Sequence, residues 1–571
     1  MQLTLRLRTV SGTTAMKLPS CLFALWLFAA TVCGQTTAAV TPHAVLETVG
    51  PDGWRMRLGP TNLGSLLESE KGRGLWQQGA LPILAFWQQM LGDEAAFVAS
   101  KARVLGYGGR IRVGLWVEPD KFSRQRLAHL ALVLEGDGRT DLGALAKDLR
   151  LLQTRLADGE WGETEVGGTM FDLCKNGEDV MTAPLAETNS LFVVMSNREN
   201  FSSALAAGRA FAATATGKSP PPNSPALRIQ VDLPALVAMA MKGSDRDAEM
   251  MQKFGLSSLG PCEFSVGTAG PHVRLEIAQE FVAGAERGLF DALLPATAGV
   301  PTLRRGAPAG PGSWKVGHFD FLALYLAIEK ALATVNQTAN EVRGEAKKEL
   351  GVDIVDDLLA HLTDDVLLVT SPVVQFERPE DLSWTLAIRL RNEEAFGKNL
   401  LTAIQKGKPF LQREATQKIG DVEIHRYGSM FGYDVLMGVG HGAFVLAGGR
   451  DAEAQITALL EALKTMPAAV EPAAKNPGFD DLQRHLPPGC NGLALGDIGS
   501  LVAIPGSVWF GILGEFTPIR ALRGLPGLPR DEEDDPEQRE AVLELLKKHG
   551  LATLRSATGY AERTWRWRLF W

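Results

Sequence analysis

The sequence predicts an α+β protein of two related modules, each a largely antiparallel sheet with helices packed on one face. Three observations lead there. Strand-like and helix-like stretches alternate along the chain. Short glycine-containing connections join neighbouring strands. The pattern of the first half returns in the second at a spacing of about 260 residues.

The repeat is carried by segments in matching order. Trp54-RMRLGPTNLGSLL pairs with Trp314-KVGHFDFLALYL; in each an alternating apolar strand turns into an apolar-periodic helix. Leu91-GDEAAFVAS pairs with Leu362-TDDVLLVTS, a helix end followed by a turn and a strand. Ala131-LVLEGDGRTDLGALAKDL pairs with Leu386-AIRLRNEEAFGKNLLTAI, a strand followed by an amphipathic helix. Leu191-FVVMSNRENFSSAL pairs with Ala443-FVLAGGRDAEAQITALL. Ala226-LRIQVDLPALVAM pairs with Asn491-GLALGDIGSLVAI, where Asp232 and Asp497 stand where a helix N-cap belongs. Two proline-rich stretches, Gly217-KSPPPNSP and Met466-PAAVEPAAKNPG, also correspond. The modules then run from about Ala44 to Leu294 and from Ser313 to Trp571. Pro295 to Gly312, rich in Pro, Gly and Ala, reads as the linker between them.

Antiparallel pairing is forced where Val422-EIHRY, Tyr433-DVLMGV and Ala443-FVLA follow each other through short turns, because a parallel crossover needs a dozen or more residues. A wholly parallel doubly wound sheet is the alternative.

The chain begins with an export signature. Cys21 to Val32 is apolar and too short to span a bilayer, with Lys17 on its positive flank and small residues after it. Residues 1–34 read as a signal peptide, with Met16 as a second candidate start. An uncleaved anchor and a lipoprotein at Cys33 are the other readings. The implied location is periplasmic or extracellular. Leu501 to Phe516 is the nearest later approach to a membrane span, but Pro505 and three glycines interrupt it. With a net charge of −8 over 571 residues, nucleic-acid binding has no electrostatic support. The mature chain holds Cys174, Cys262 and Cys490, enough for one disulfide, in no metal-binding spacing.

Asp353, Asp357, His361 and Asp365 are spaced four apart, so on one helix they would share a face and could hold a divalent metal. Against that, Ile354, Val355, Leu358, Leu359 and Leu362 make the complementary apolar stripe of an ordinary surface helix. His425 and His441 lie on neighbouring predicted strands near Glu423 and Asp434, a pairing usable in acid–base chemistry. Gly438-VGHG and Gly106-YGG read as hairpin turns rather than dinucleotide loops, and Gly217-Lys218-Ser219 is no phosphate loop. The acidic run from Asp531 reads as a solvated loop, and Asn200 and Asn336 head glycosylation sequons. In Thr564-WRWRLFW the alternation puts Trp565, Trp567, Leu569 and Trp571 on one face, to pack under helices or to cover a partner.

Glu349-LGVDIVDDLLAH-Leu362, the TDDVLLV that follows and the two-module layout resemble an uncharacterised family of large exported bacterial proteins, a domain of unknown function. The resemblance implies an extracytoplasmic location and carries over no catalytic residues and no cofactor. The expectation is a non-catalytic exported protein that binds an envelope partner or ligand or contributes to envelope structure. The alternatives are a carrier for a hydrophobic molecule, resting on Leu501–Phe516 and Phe319–Ala333, and a hydrolase using His361 or His425.

Overall fold

The structure, a computed structural model, describes residues 41–73, 94–119, 125–156, 160–166, 169–176, 179–182, 185–187, 190–197, 201–214, 224–240, 249, 252–297, 299–307, 312–332, 339–372, 378–406, 413–428, 434–465, 478–498 and 536–571. The signal segment, residues 501–516, Asn200, Asn336, Gly217-Lys218-Ser219 and residues 531–535 lie outside the described residues.

The first half contains β1 (Ala44–Val49), α1 (Pro51–Leu58), α2 (Asn62–Glu68), α3 (Glu94–Gly106), β2 (Arg110–Pro119), β3 (Gln125–Glu135), α4 (Leu142–Leu156), β4 (Glu160–Val166), β5 (Thr169–Asn176), β6 (Asp179–Thr182), β7 (Leu185–Glu187), β8 (Ser190–Asn197), α5 (Phe201–Ala213), β9 (Leu227–Val231), α6 (Leu233–Ala240), β10 (Leu259–Ala269), β11 (His272–Phe281) and α7 (Leu289–Leu293). The second contains β12 (Ser313–His318), α8 (Phe321–Leu332), α9 (Ala339–Leu350), β13 (Leu362–Thr370), β14 (Trp384–Leu390), α10 (Glu393–Lys406), β15 (Arg413–Ile419), β16 (Val422–Tyr427), β17 (Val435–Gly440), β18 (Ala443–Gly448), α11 (Ala452–Lys464), β19 (Cys490–Asp497), α12 (Pro536–Lys548), β20 (Thr553–Ala561) and β21 (Thr564–Phe570).

The fold is α+β, and every described ladder is antiparallel, which excludes the parallel alternative. The ladders form one continuous path. In the first half its order is β4-β5-β6-β8-β3-β2-β1-β9-β10-β11, with β7 sharing the β8 edge that β6 occupies. In the second it is β15-β16-β17-β18-β14-β13-β12-β19-β20-β21. The two orders match strand for strand, with β6 and β7 together in the place of β17. The halves meet where β11 pairs with β21, with Glu276 opposite Arg568. No ladder among the described residues joins β4 to β15.

Two predicted strands are helices. Trp54 lies in α1, because Gly50 in extended backbone, Pro51 at the first helical position and Asp52 in the first turn start a helix there. The strand opening the first half is β1 instead. Residues 94–100 belong to α3, where Ala95, Ala96 and Ala99 favour helix, and the counterpart of β13 is β2. The cap expected at Asp232 is present: its Oδ1 accepts the Ala235 N–H at 3.0 Å, starting α6.

Each half buries its own helix against the sheet. On α11 Ile456, Leu459, Leu460 and Leu463 are buried at the spacing of one helix stripe, over Val445, Leu367 and Trp314. Each such side chain contributes about 1.5–3 kcal/mol on leaving water. On α5 Phe201, Leu205 and Phe211 do the same over Trp116, Val133 and Val194. At the seam, Leu569 and Trp571 pack with Leu543 and Leu546 of α12 and Leu66 of α2, so this part of the predicted aromatic face does lie under helices.

The Pro/Gly/Ala-rich stretch between the halves is docked on the second sheet. Thr302–Gly306 forms a 3-10 turn with Leu303 fully buried, and the Arg304 guanidinium stacks 4.0 Å from the Trp314 ring. Asn491 Nδ2 donates to Pro295 O and Thr297 O at 3.1 and 3.0 Å. His318 Nε2 donates to Gly299 O at 2.9 Å, and its Nδ1 faces Asp364 Oδ2 at 3.2 Å. Thr297 Oγ1 donates to that same oxygen at 2.9 Å. A histidine with an acceptor on both nitrogens is stabilised as the cation. Burial opposes this, but Asp364 and Gly299 prevail and raise the His318 pKa. His318 in turn holds Asp364 down at about 2.

Candidate functional site

A cavity of about 450 Å³ opens in the second half between α10 and the β16–β17 ribbon. α10 is positioned by Asn392, whose side-chain oxygen accepts the Ala395 N–H at 3.0 Å. Phe396 and Ala403 anchor the helix in the core. The spacing of Gly397, Leu400, Leu401 and Ile404 puts them on an adjacent stripe facing the cavity. The sheet supplies Glu423 and His425 from β16, and Met437, Gly438 and Val439 from β17. The floor is therefore apolar, and Glu393, Glu394 and Glu423 put carboxylates at its border.

The polar groups differ in how they are engaged. Glu393 Oε2 accepts the Gly442 N–H at 2.6 Å and so ties the helix start to the β17–β18 turn. His425 is buried, with Nδ1 3.4 Å from Thr416 Oγ1 and 3.7 Å from Glu423 Oε1. Arg426 points the other way along β16, to Asp434 at 3.2 Å and Glu453 at 3.4 Å.

The matching place in the first half is bridged. Asp141 caps α4 as Asn392 caps α10, which makes Arg150 the counterpart of Leu401. Strand register makes Asp172 the counterpart of His425. Arg150 and Asp172 form an ion pair at 2.6 Å, with the guanidinium 5.0 Å from the Trp161 ring. Matching places in the two strand orders thus carry a cation–carboxylate bridge in one half and an apolar, histidine-lined cavity in the other. That contrast is written in the paired segments of the sequence. Glu393, Glu394, Leu401 and Met437 were not singled out there, because no single one of them stands out without the strand register.

The other predicted groupings come apart. Asp353, Asp357, His361 and Asp365 do not share a helix face. Asp353 caps the π-type turn Ile354–Leu358, accepting from the Val355 and Asp356 N–H groups at 3.0 and 3.2 Å. Arg343 bonds its carboxylate at 2.9 Å and, more than any other group, holds its pKa below the ordinary value. Asp357 Oδ2 accepts the Asp353 N–H at 2.7 Å. His361 ends a separate 3-10 turn, Leu359–His361. Asp365 stands on β13 and accepts from Thr302 Oγ1 at 2.8 Å; burial raises its pKa. The helix stops because Leu358 leaves helical geometry and the run from Leu362 to Thr370 is strand. Among the described residues no three His, Cys, Asp or Glu side chains gather to hold a metal.

His425 and His441 are likewise apart. His441 sits in the two-residue turn between β17 and β18, where it and Gly442 both have positive φ, at 53° and 74°. Such a turn suits the twist of a hairpin and favours glycine at its second position. His441 Nε2 faces Asp421 at 3.3 Å across the neighbouring turn. Because His425 pairs with Met437, the two histidines are separated by four residues of strand, about 13 Å. Cys174, Cys262 and Cys490 are free thiols; burial raises all three pKa values, that of Cys262 to about 11.

No family model matches the chain, and no curated protein does. Among solved structures it is similar to crystal forms of TP0453. Form III aligns at a TM-score of 0.22 and 10% identity over 47% of this chain and 90% of that one. Form IV gives 0.21 and 10% over 48% and 90%, and form I gives 0.19 and 8% over 46% and 88%. No described helix is long and apolar enough to cross a membrane.

Proposed function

We propose that this chain is an exported, non-catalytic binding protein of two duplicated modules, with the α10/β16–β17 cleft as its ligand site. The observation that carries the reading is the cavity itself, present in the half where Leu401 and His425 replace the bridging Arg150 and Asp172. An apolar floor under three carboxylates suits a ligand with an apolar body and a cationic or hydrogen-bond-donating head, because ligand sites pair apolar burial with a few oriented polar groups. Export rests on the apolar run Cys21–Val32, and the resemblance to the uncharacterised exported family belongs to the same proposal. A partner or envelope-building role stands beside ligand binding, since two halves of one strand order offer two similar faces.

Native mass spectrometry of the gently purified chain tests this. The expected result is a bound small molecule that is lost in Leu401→Arg/His425→Asp, which transplants the first half's bridge into the cleft. A clean chain mass, together with no binding of amphiphilic amines by titration, refutes the ligand reading. Two other readings have one observation each. His425 beside Thr416 favours a hydrolase, which requires activity that His425→Ala abolishes. Exposed Leu326 and Ile328 on α8 favour a carrier, which requires a co-purifying apolar molecule displaced by changes on α8.

A further inference from the structure

At the seam between the halves, strand pairing gathers more positive charge than the fold uses. Register and alternation place Arg274, Glu276, Arg566 and Arg568 on one face of β11 and β21. By the shared strand order Arg566 is the counterpart of Arg274, and Arg568 of Glu276, so the four straddle the midpoint of the ladder. Arg568 Nη2 donates to Glu276 Oε1 at 2.9 Å. Arg566 Nε stands 3.9 Å from that oxygen, and Arg274 Nε 3.6 Å from Oε2. One carboxylate thus faces three guanidiniums. The side chains are 23% (Arg274), 13% (Glu276), 26% (Arg566) and 14% (Arg568) exposed, too sheltered for water to screen the surplus fully.

The neighbours do not absorb that surplus. Arg568 is saturated at Nη1 by His485 O and Leu486 O, at 2.7 and 3.0 Å. The Nε–H groups of Arg274 and Arg568 are buried without an acceptor among the described residues. Asp481 is taken up by Arg555 at 2.6 Å and faces His272 at 2.9 Å. Glu263, opposite Ala278 on the neighbouring strand β10, is held by Arg228 at 2.6 Å, and Glu280 is exposed near the end of β11. Burial and then the positive charges of Arg274 and Arg568 push the His485 pKa down. Ser265, Gly267, Ala278, Ala557 and Gly559 share the face in register with the arginines, and Pro487 and Pro488 lie over Gly559.

We infer that this seam is an anion site, in which Arg274 and Arg566 supply two uncompensated charges to a doubly charged tetrahedral oxyanion of the phosphate class. Guanidinium forks match such oxygens in pairs, and a dianion balances the surplus. The site is distinct from the α10 cleft and does not depend on it.

Isothermal titration of the purified chain with inorganic phosphate, in chloride buffer at pH 7.5, is the test. Saturable binding of one phosphate per chain is expected, weakened about tenfold in Arg566→Met and abolished in Arg274→Met/Arg566→Met, with circular dichroism showing the fold intact. Glu276→Gln raises the surplus to three and is expected to tighten binding. If the double variant fails to fold, Arg566→Met and Glu276→Gln decide the matter by shifting affinity in opposite directions. A parallel arm with phosphatidic acid vesicles separates a lipid headgroup from free phosphate: tighter binding to vesicles that is lost in the same variants identifies the headgroup. Absence of saturable binding to either probe, or equal affinity in wild type and Arg566→Met, overturns the assignment.

Discussion

Replacing His318 by Gln removes the cation that ties the segment between the halves to the second sheet. Its worth follows from Asp364, which His318 above all holds at about 2 against an ordinary 3.8. At about 1.36 kcal/mol per pH unit that difference is a ceiling near 2.4 kcal/mol. Asp364 is 31% exposed, so solvent screening trims the figure to about 1 kcal/mol. The sign has two sides. The His318 pKa is raised, so its contribution is complete below about 6.5 and is lost as pH rises through the folded value. The Asp364 pKa is depressed, so its contribution is present above 3.8 and is lost as pH falls toward 2. Asp365 also faces His318, so its ionised form adds to the same gap: the histidine cation lowers the Asp365 pKa and Asp365 raises that of His318. Urea unfolding of wild type and His318→Gln from pH 2 to 9 is expected to show a gap of about 1 kcal/mol between pH 4 and 6 that closes on both sides. A gap that stays flat from pH 4 to 9, or is wider at pH 9 than at pH 5, refutes the ion-pair reasoning.

Two further outcomes follow from burial. Leu303→Ala empties a fully buried position between the docked segment and Trp314, and is expected to cost about 2–5 kcal/mol in chemical denaturation; a cost under 1 kcal/mol would show that the segment is not part of the second core. At pH 8, Cys262 with a pKa of about 11 is about one-thousandth thiolate, so the native chain is expected to react slowly with a thiol reagent and the denatured chain to release all three mature thiols at once; a count of one after denaturation would reveal a disulfide.

The sheet was legible where local chemistry and tertiary packing agree. Val422–Tyr427, Val435–Gly440 and Ala443–Gly448 alternate, and the tight His441-Gly442 turn leaves them no choice but a hairpin stack. The α4 and α10 segments were legible from their amphipathic period. Trp54-Arg-Met-Arg-Leu misled because alternation over five residues is weaker than Pro51 and Asp52 as helix starters. The acidic quartet misled because spacing by four has meaning only while the helix lasts, and this one ends before Asp365. The cleft was legible only in His425 and Glu423: its other walls come from segments that meet only through the strand register, and Leu401, which sets it apart from the first half, is ordinary in isolation. The seam arginines were hidden for the same reason, since Arg274 and Arg566 become neighbours only when β11 meets β21.

The β11–β21 seam also sets a timetable for the chain. β11 closes the first half's strand order, yet its outer hydrogen-bonding edge finds a partner only in β21, roughly 290 residues later, or about 15–60 s at ordinary synthesis rates. Until then Leu275, Ile277 and the backbone of β11 present an open strand edge, the kind of template that recruits a wrong partner from another chain. Co-translational folding of the first half therefore stops one strand short of completion, and holdase chaperones have their greatest leverage over this protein during that interval. Loss of the seven residues of β21 would leave two halves that each keep an unsatisfied edge, a state prone to self-association rather than to simple unfolding.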